Sequence, residues 1–131
     1  MKEKAIKVYL ACPYNSPWRI VRWLRYRKIT KIAGNYMLEG YIVFSPITHS
    51  HPIHNFQSKE LFTHTFWLNQ DRRFLDWADV LVVIKIPGWK DSVGVDWEVK
   101  YMQKAKKPYV FAHPDHIPNL HLTLKWCNAN P

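Results

Sequence analysis

Two acidic residues stand where the hydrophobic periodicity asks for apolar side chains. Val95, Val99 and Met102 recur at i, i+4 and i+7, and Glu98 falls inside that stripe, three residues after Val95. Trp67, Phe74 and Ala78 mark the inner face of an earlier helical segment, and Asp71 takes the i+4 place in that series. A carboxylate turned inward costs several kcal/mol unless it is paired or hydrogen-bonded. A buried carboxyl has its proton affinity raised and can give or take a proton, and an ionised one can stabilise or trap a cationic carbon. The plainer alternative is that each lies at the edge of its stripe and reaches solvent. Ser92 and Gly94 lie just ahead of Glu98, at the start of its helix. There, free N–H groups and the positive dipole end suit an anion, and Gly94 leaves room for a ligand one turn before Glu98. An ordinary cap and turn would use the same two residues.

His49, His51 and His54 offer three nitrogen ligands within six residues, but the spacing is not a zinc pattern and no cysteine joins it. No metal and no cofactor are expected. One or two of these histidines contacting a ligand is one reading, and a polar loop is the other.

The elements that must hold these residues follow from the pattern. Ile6 to Ala11 reads as a buried first strand. A loop follows through Cys12-Pro13-Tyr14-Asn15-Ser16, and Ser16 is placed to cap a helix with Pro17 at its first position, running to about Ala33 and ended by Gly34 and Asn35. Tyr41 to Phe44 is a second strand. Ser45 to about Thr65 lacks periodicity and reads as a long, functional loop. Phe66 to Ala78 is a helix, Val80 to Ile86 the strongest strand, Pro87 to Ser92 a turn, Val93 to Lys106 a helix and Pro108 to Ala112 a fourth strand. Leu120, Leu122, Leu124 and Trp126 alternate with polar residues, as in a half-exposed fifth strand. Alternating strands and helices imply a mainly parallel four- to five-stranded sheet covered on both faces, in one domain over residues 1–131. Ligands in such sheets bind outside the carboxyl ends of the strands. Four loops then converge on one crevice: 11–16, 45–54, 87–92 and the one after Ala112. Cys12, Pro13, Tyr14, Pro46, His49, His51, Gly88 and Trp89 are its candidate ligand contacts beside Ser92 and Gly94.

Composition bounds the rest. The chain has 131 residues, 47% of them apolar, with seven Trp, seven Tyr and six Phe, so a packed core needs no staples. Its two cysteines suggest neither a disulfide framework nor a zinc site. No apolar run approaches a membrane span, and the basic-then-apolar N-terminal stretch is too short for a signal peptide, so a cytoplasmic location is expected. The net charge of +9 favours anionic partners without choosing among them. Much of it lies between Arg19 and Lys31, where a solvated helix face is the plainer reading and stacking on nucleic-acid bases the sharper one.

Several blocks together resemble a small branch of the nucleoside 2-deoxyribosyltransferase-like superfamily. They are Val8 to Tyr14, Gly40 to Ile47, His51-Pro52-Ile53, Asp71 with Ala78-Asp79, and Pro87 to Val95 through Glu98, the last being the most specific. The resemblance spans about residues 6–111. It implies a flavodoxin-like (Rossmann-like) three-layer α/β/α fold, a homo-oligomer, and chemistry at the N-glycosidic bond of a nucleoside or nucleotide. It assigns Glu98 as nucleophile, Asp71 as the group moving a proton to and from the base, and Tyr9 as the first-strand tyrosine that helps place Glu98 and the sugar. Ser92 matches a serine that binds a 5′-phosphate in the nucleotide N-hydrolase branch, although Cys12-Pro13-Tyr14 stands where those hydrolases carry a Gly-Ser-Ile loop. The rival readings are a nucleotide-binding module without turnover and a nucleic-acid-binding protein using the first helix.

Overall fold

A computed structural model describes residues 4–57 and 62–130. Strands β1 (Lys7–Ala11), β2 (Ile42–Phe44), β3 (Val80–Ile84) and β4 (Tyr109–Ala112) form one all-parallel sheet in the order β2-β1-β3-β4. Helices α1 (Arg19–Leu38), α2 (Pro46–Phe56), α3 (His64–Trp77), α4 (Val93–Lys104) and α5 (Leu120–Ala129) accompany it. This is a flavodoxin-like α/β/α architecture. The unbroken apolar runs of β1 and β3 follow from burial on both faces. Val8, Leu10, Val80, Val82 and Ile84 pack with Ile29, Ile32, Ala33 and Tyr36 of α1 and Leu120 of α5. Tyr9, Ala11, Leu81 and Val83 face the other way, onto Leu75 of α3 and Val95 and Met102 of α4. Asp79 ties the starts of the two central strands: its N–H donates to the Lys7 carbonyl at 2.8 Å and its carboxylate accepts from the Lys7 N–H at 2.9 Å.

Strand order decides where a crevice can open. From β1 the chain crosses through α1 to β2 on one side, whereas from β3 it crosses through α4 to β4 on the other. The loops leaving β1 and β3 therefore part at their carboxyl ends, which is the topological switch point where ligands bind in such sheets.

The structure corrects the expectations for the segments after β2 and β4 and for both ends of α1. The segment after β2 is not a loop over 45–65: α2 occupies Pro46–Phe56, and residues 58–61 of that stretch lie outside the described residues. Its two prolines suggested irregular chain, but Pro46 takes the helix start, where no N–H is needed, and packing on α1 carries the helix through Pro52. The Thr48 hydroxyl bridges Thr30 of α1 and Ser45, both at 2.8 Å. The fifth strand is also replaced by a helix, α5, capped by the Asn119 side chain accepting from the Leu122 N–H at 3.2 Å. The alternating leucines contain an i, i+4 pair, Leu120 and Leu124, which reaches the core, while Leu122 and Trp126 are 63% and 66% exposed.

Helix α1 begins at Arg19 without a side-chain cap, and Ser16 instead accepts from the Trp18 N–H. The helix passes through Gly34 and Asn35 and stops at Gly40, whose φ is +98°. The Tyr41 N–H donates to the Tyr36 carbonyl and the Gly40 N–H to the Met37 carbonyl, a Schellman closure with the Tyr36 and Tyr41 rings in contact across it.

The two glycines should therefore respond in opposite directions to the same substitution. Gly40→Ala forces a Cβ into the left-handed region and should lower stability by about 1–2 kcal/mol. Gly34→Ala meets no atom within 4 Å and should raise it by about 0.5–1 kcal/mol, as measured by urea unfolding midpoints.

Candidate functional site

A cavity of about 770 Å³ opens at the switch point. The loop after β1 and the turn after β3 form its sides, and helix faces complete it. On α3, His64, Trp67, Leu68 and Asp71 line the cavity at i, i+3, i+4 and i+7; beyond Asp71 the same side of the helix passes into the core through Leu75 and Ala78. On α4, Gly94, Trp97 and Glu98 line it, while Val95 and Met102 enter the core. Glu98 and Asp71 thus stand where the wall of the cavity becomes the core. Lys107 pins the end of α3 by donating to the carbonyls of Leu75 and Asp76 at 2.7 and 2.8 Å.

Glu98 is buried and Asp71 half-buried at the wall of the cavity. Glu98 is 7% exposed, and burial pushes its carboxyl up to about 8; the nearby Tyr9 hydroxyl pulls it down and the Asp71 charge adds to the rise. Burial alone raises Asp71 to about 7. Tyr9 does not line the cavity. Its hydroxyl is buried, outside ordinary hydrogen-bond geometry with any group among the described residues, and burial, then the Glu98 and Asp71 charges, raise its proton affinity. Burial likewise pushes the Cys12 thiol up.

Cys12, Pro13, Tyr14, Pro46, His51, Gly88, Ser92 and Gly94 also line the cavity. The Ser92 hydroxyl accepts from the Val95 N–H at 3.2 Å, capping α4, and still has its own proton to donate. A Cβ on Gly94 would come no closer to the protein than 3.9 Å, to Ser92 Oγ, so packing within the chain does not demand glycine there. The Tyr14 hydroxyl meets His51 Nδ1 at 2.5 Å, the Asn55 amide meets Nε2 at 3.2 Å, and Tyr26 stacks on the ring at 4.1 Å. Burial and the positive Arg22 favour the neutral form of His51.

Two expected contacts are not at the cavity. His49 sits against Phe44 and Phe74 instead, because α2 is a helix and residues two apart on a helix point in nearly opposite directions. Trp89 turns its ring onto Phe111 of the edge strand, at 5.2 Å. The loop after Ala112 also lies apart, because β4 is an edge strand one place removed from the switch point.

Arginines of α1 are the lining residues that sequence reasoning left in a solvated face. Arg19, Arg22 and Arg25 recur every three residues and all line the cavity. Arg25 donates to the Asn15 carbonyl at 2.9 Å and to the Pro87 carbonyl at 3.2 Å, bridging the loops after β1 and β3. Its guanidinium passes so near Gly88 that a Cβ there would lie 2.7 Å from Nη2, and Gly88 also has φ +97°. Arg22 donates to the Ser16 carbonyl. The three-residue spacing was visible in the sequence, but nothing there said which face the first helix turns toward the crevice.

The raised carboxyls have a consequence for stability. A carboxyl whose folded value exceeds the ordinary value near 4 favours folding most when protonated, and that contribution is lost as pH rises through the folded value. Glu98→Gln should therefore leave the thermal midpoint near that of the wild type at pH 4–5 and raise it at pH 9, by a gain on the order of a few kcal/mol. Calorimetry across that range would measure it.

The model of a family described as a domain of unknown function, DUF1937, matches residues 6–113. No curated protein matches the sequence. Among solved structures the chain is similar to a 2-deoxyribosyltransferase from the psychrotolerant bacterium Bacillus psychrosaccharolyticus, described as a biocatalyst for the synthesis of antiviral and antitumoral nucleosides. The identity is 28% and the TM-score 0.55, over 89% of this chain and 80% of that one. The chain belongs to the DUF1937 family, within the nucleoside 2-deoxyribosyltransferase-like superfamily.

Proposed function

We propose that the protein cleaves the N-glycosidic bond of a nucleoside or nucleoside 5′-monophosphate, with Glu98 as nucleophile and Asp71 as proton donor to the leaving base. The observation that carries this reading is the pair of carboxyls, both raised by burial, lining one cavity at the switch point of the sheet. The likeness to a 2-deoxyribosyltransferase supports nucleoside glycosyl transfer at the level of the family.

In the proposed reaction a Glu98 carboxylate oxygen bonds to the anomeric carbon as the bond to the base breaks. The electron pair of that bond leaves on the base nitrogen, which takes the Asp71 proton. Positive charge builds on the sugar in the transition state, and a carboxylate in a dry site stabilises it strongly. Water then attacks the glycosyl ester and returns a proton to Asp71, giving hydrolysis; a second base in place of water gives transfer. The Tyr9 hydroxyl, which burial keeps protonated, lies beside Glu98 and favours its ionised form without a hydrogen bond of ordinary geometry. Ser92 and Gly94 lie at the α4 start, where a 5′-group is received. No cofactor enters the scheme. The proposal extends to a homo-oligomer acting in the cytoplasm, and no helix among the described residues is long and apolar enough to cross a membrane.

Free-base release from a panel of nucleosides and 5′-monophosphates, ribo and deoxy, with and without a second base, tests the reaction. Wild type should release base and Glu98→Gln should lose at least about a thousandfold in kcat while keeping its fold. Turnover equal to wild type in that variant would remove Glu98 from the mechanism. With no release and no exchange from any substrate, the binding-module reading takes its place.

The dependence on pH follows from the two carboxyls. The working form carries one proton between them; Glu98 holds it more tightly, and the productive arrangement is the minor one with the proton on Asp71. Below about 7 both hold protons and the nucleophile is lost, and above about 8 both are ionised and the acid is lost. A plot of kcat/KM should be bell-shaped with its maximum between those values, falling roughly tenfold per pH unit on each side. Asp71→Asn should abolish the alkaline limb.

A further inference from the structure

The walls of the cavity differ in chemistry. Arg19, Arg22 and Arg25 line it from α1. None of the three forms an ion pair with an acidic side chain among the described residues, where Lys100 with Asp96 and His113 with Asp115 are the pairs seen. The hydrogen bonds of Arg22 and Arg25 go to main-chain carbonyls, which hold the guanidiniums in place without neutralising them. The other wall is aromatic: Trp67 stacks on Phe62 with ring centroids 5.2 Å apart, and Trp97 lines the cavity from α4. Asp71 follows Trp67 by one helical turn, and Glu98 adjoins Trp97 in sequence. Among the described residues, the acidic groups that line the cavity are these two carboxyls and Asp91 at the turn after β3.

An uncompensated cluster of guanidiniums facing a concave site selects an anion, and arginine in particular suits the paired oxygens of a phosphate. Aromatic faces suit a planar base. We infer that Arg19 and Arg22 bind the phosphate of a nucleotide substrate, whose base lies toward Trp67 and Trp97, so that the protein discriminates nucleotides from nucleosides through α1. This rests on the reading of the cavity as a nucleoside-processing site and adds to it the charge of the substrate and its orientation. Arg25 serves as a positioning residue, since its two bonds join the loops on either side of the phosphate end.

The orientation is consistent with the proposed chemistry. A base held on the α3 side comes within reach of Asp71, the proposed proton donor, while the phosphate lies toward the α1 wall. It also gives the basic stretch of α1 a specific role: part of that stretch lines the cavity, and Arg27, Lys28 and Lys31 are the exposed, solvated remainder.

The test is titration calorimetry on Glu98→Gln, which holds substrate without turnover. Nucleosides, their 5′-monophosphates and a short single-stranded oligonucleotide are compared with and without the added changes Arg19→Gln, Arg22→Gln and Arg22→Lys. The monophosphate should bind at least about a hundredfold tighter than the nucleoside. Each arginine-to-glutamine change should cut that ratio about tenfold or more and flatten the salt dependence, and Arg22→Lys should restore part of it. Equal affinity for nucleoside and monophosphate, or a ratio that the arginine changes do not move, overturns the inference. Tightest binding of the oligonucleotide would overturn it in favour of a nucleic-acid ligand. Base release by the wild-type protein keeps the outcomes apart. Release from nucleosides and monophosphates alike sinks this inference and leaves the catalytic reading standing. Arginine-dependent nucleotide binding without any release sinks the catalytic reading and leaves the phosphate site standing.

Discussion

Holding the Glu98 carboxyl out of water, with that of Asp71 half-buried beside the same cavity, is the demand around which the rest of this molecule is arranged. Each ionised carboxyl in a dry site works against folding, so the surroundings must supply enough apolar contact to carry both. They do so through the two central strands, buried at Val8 to Ala11 and Val80 to Ile84, and through α3 and α4, whose inner stripes run from the cavity into the core. Glu98 and Asp71 sit at the junction of the two environments. One turn further toward the core they would have no access to a ligand; one turn outward they would be solvated, with ordinary proton affinities.

The sheet supplies the place for that junction. Because the chain turns to opposite sides after β1 and after β3, neither loop can cover the carboxyl ends of both strands, and the gap between them remains. Arg25 then fixes the width of the gap by bonding to both loops, and Gly88 yields the space its guanidinium occupies. Helix α2, held to α1 through Thr30 and Thr48, brings His51 to the Tyr14 hydroxyl on one wall. Stability and chemistry are in tension here, as in other sites built from buried ionisable groups. The tension is borne by the central packing of the domain rather than by the cavity itself.

Much of this was legible in the sequence, for physical reasons that differ from element to element. The central strands were legible because a strand buried on both faces has to be apolar at nearly every position, as in Val80–Ile84, and the edge strands from short runs of β-branched and aromatic residues. The carboxyls were legible because a charged residue inside an apolar stripe is conspicuous against a period of 3.6. A turn over Pro87 to Ser92 and a cap at Asp91 or Ser92 were legible from local backbone chemistry, and the structure gives the cap to Ser92. The prolines of α2 and the alternating leucines of α5 misled because local pattern was ambiguous: Pro46 fits a helix start as well as a loop, and residues four apart satisfy a strand period and a helix period alike.

The sequence by itself determined the α/β class, the parallel sheet, its central strands and the presence of two misplaced carboxyls, because each depends on burial periodicity that a chain of this length must obey. Only the tertiary structure decided which neighbours those carboxyls share. It turned α1 so that Arg19, Arg22 and Arg25 line the cavity, sent His49 and Trp89 away from it, and made helices of the segments after β2 and β4. The reason is that a helix face is fixed by what the helix packs against. A periodic pattern states that a stripe will be covered, while the sheet order and the neighbouring helices decide what covers it.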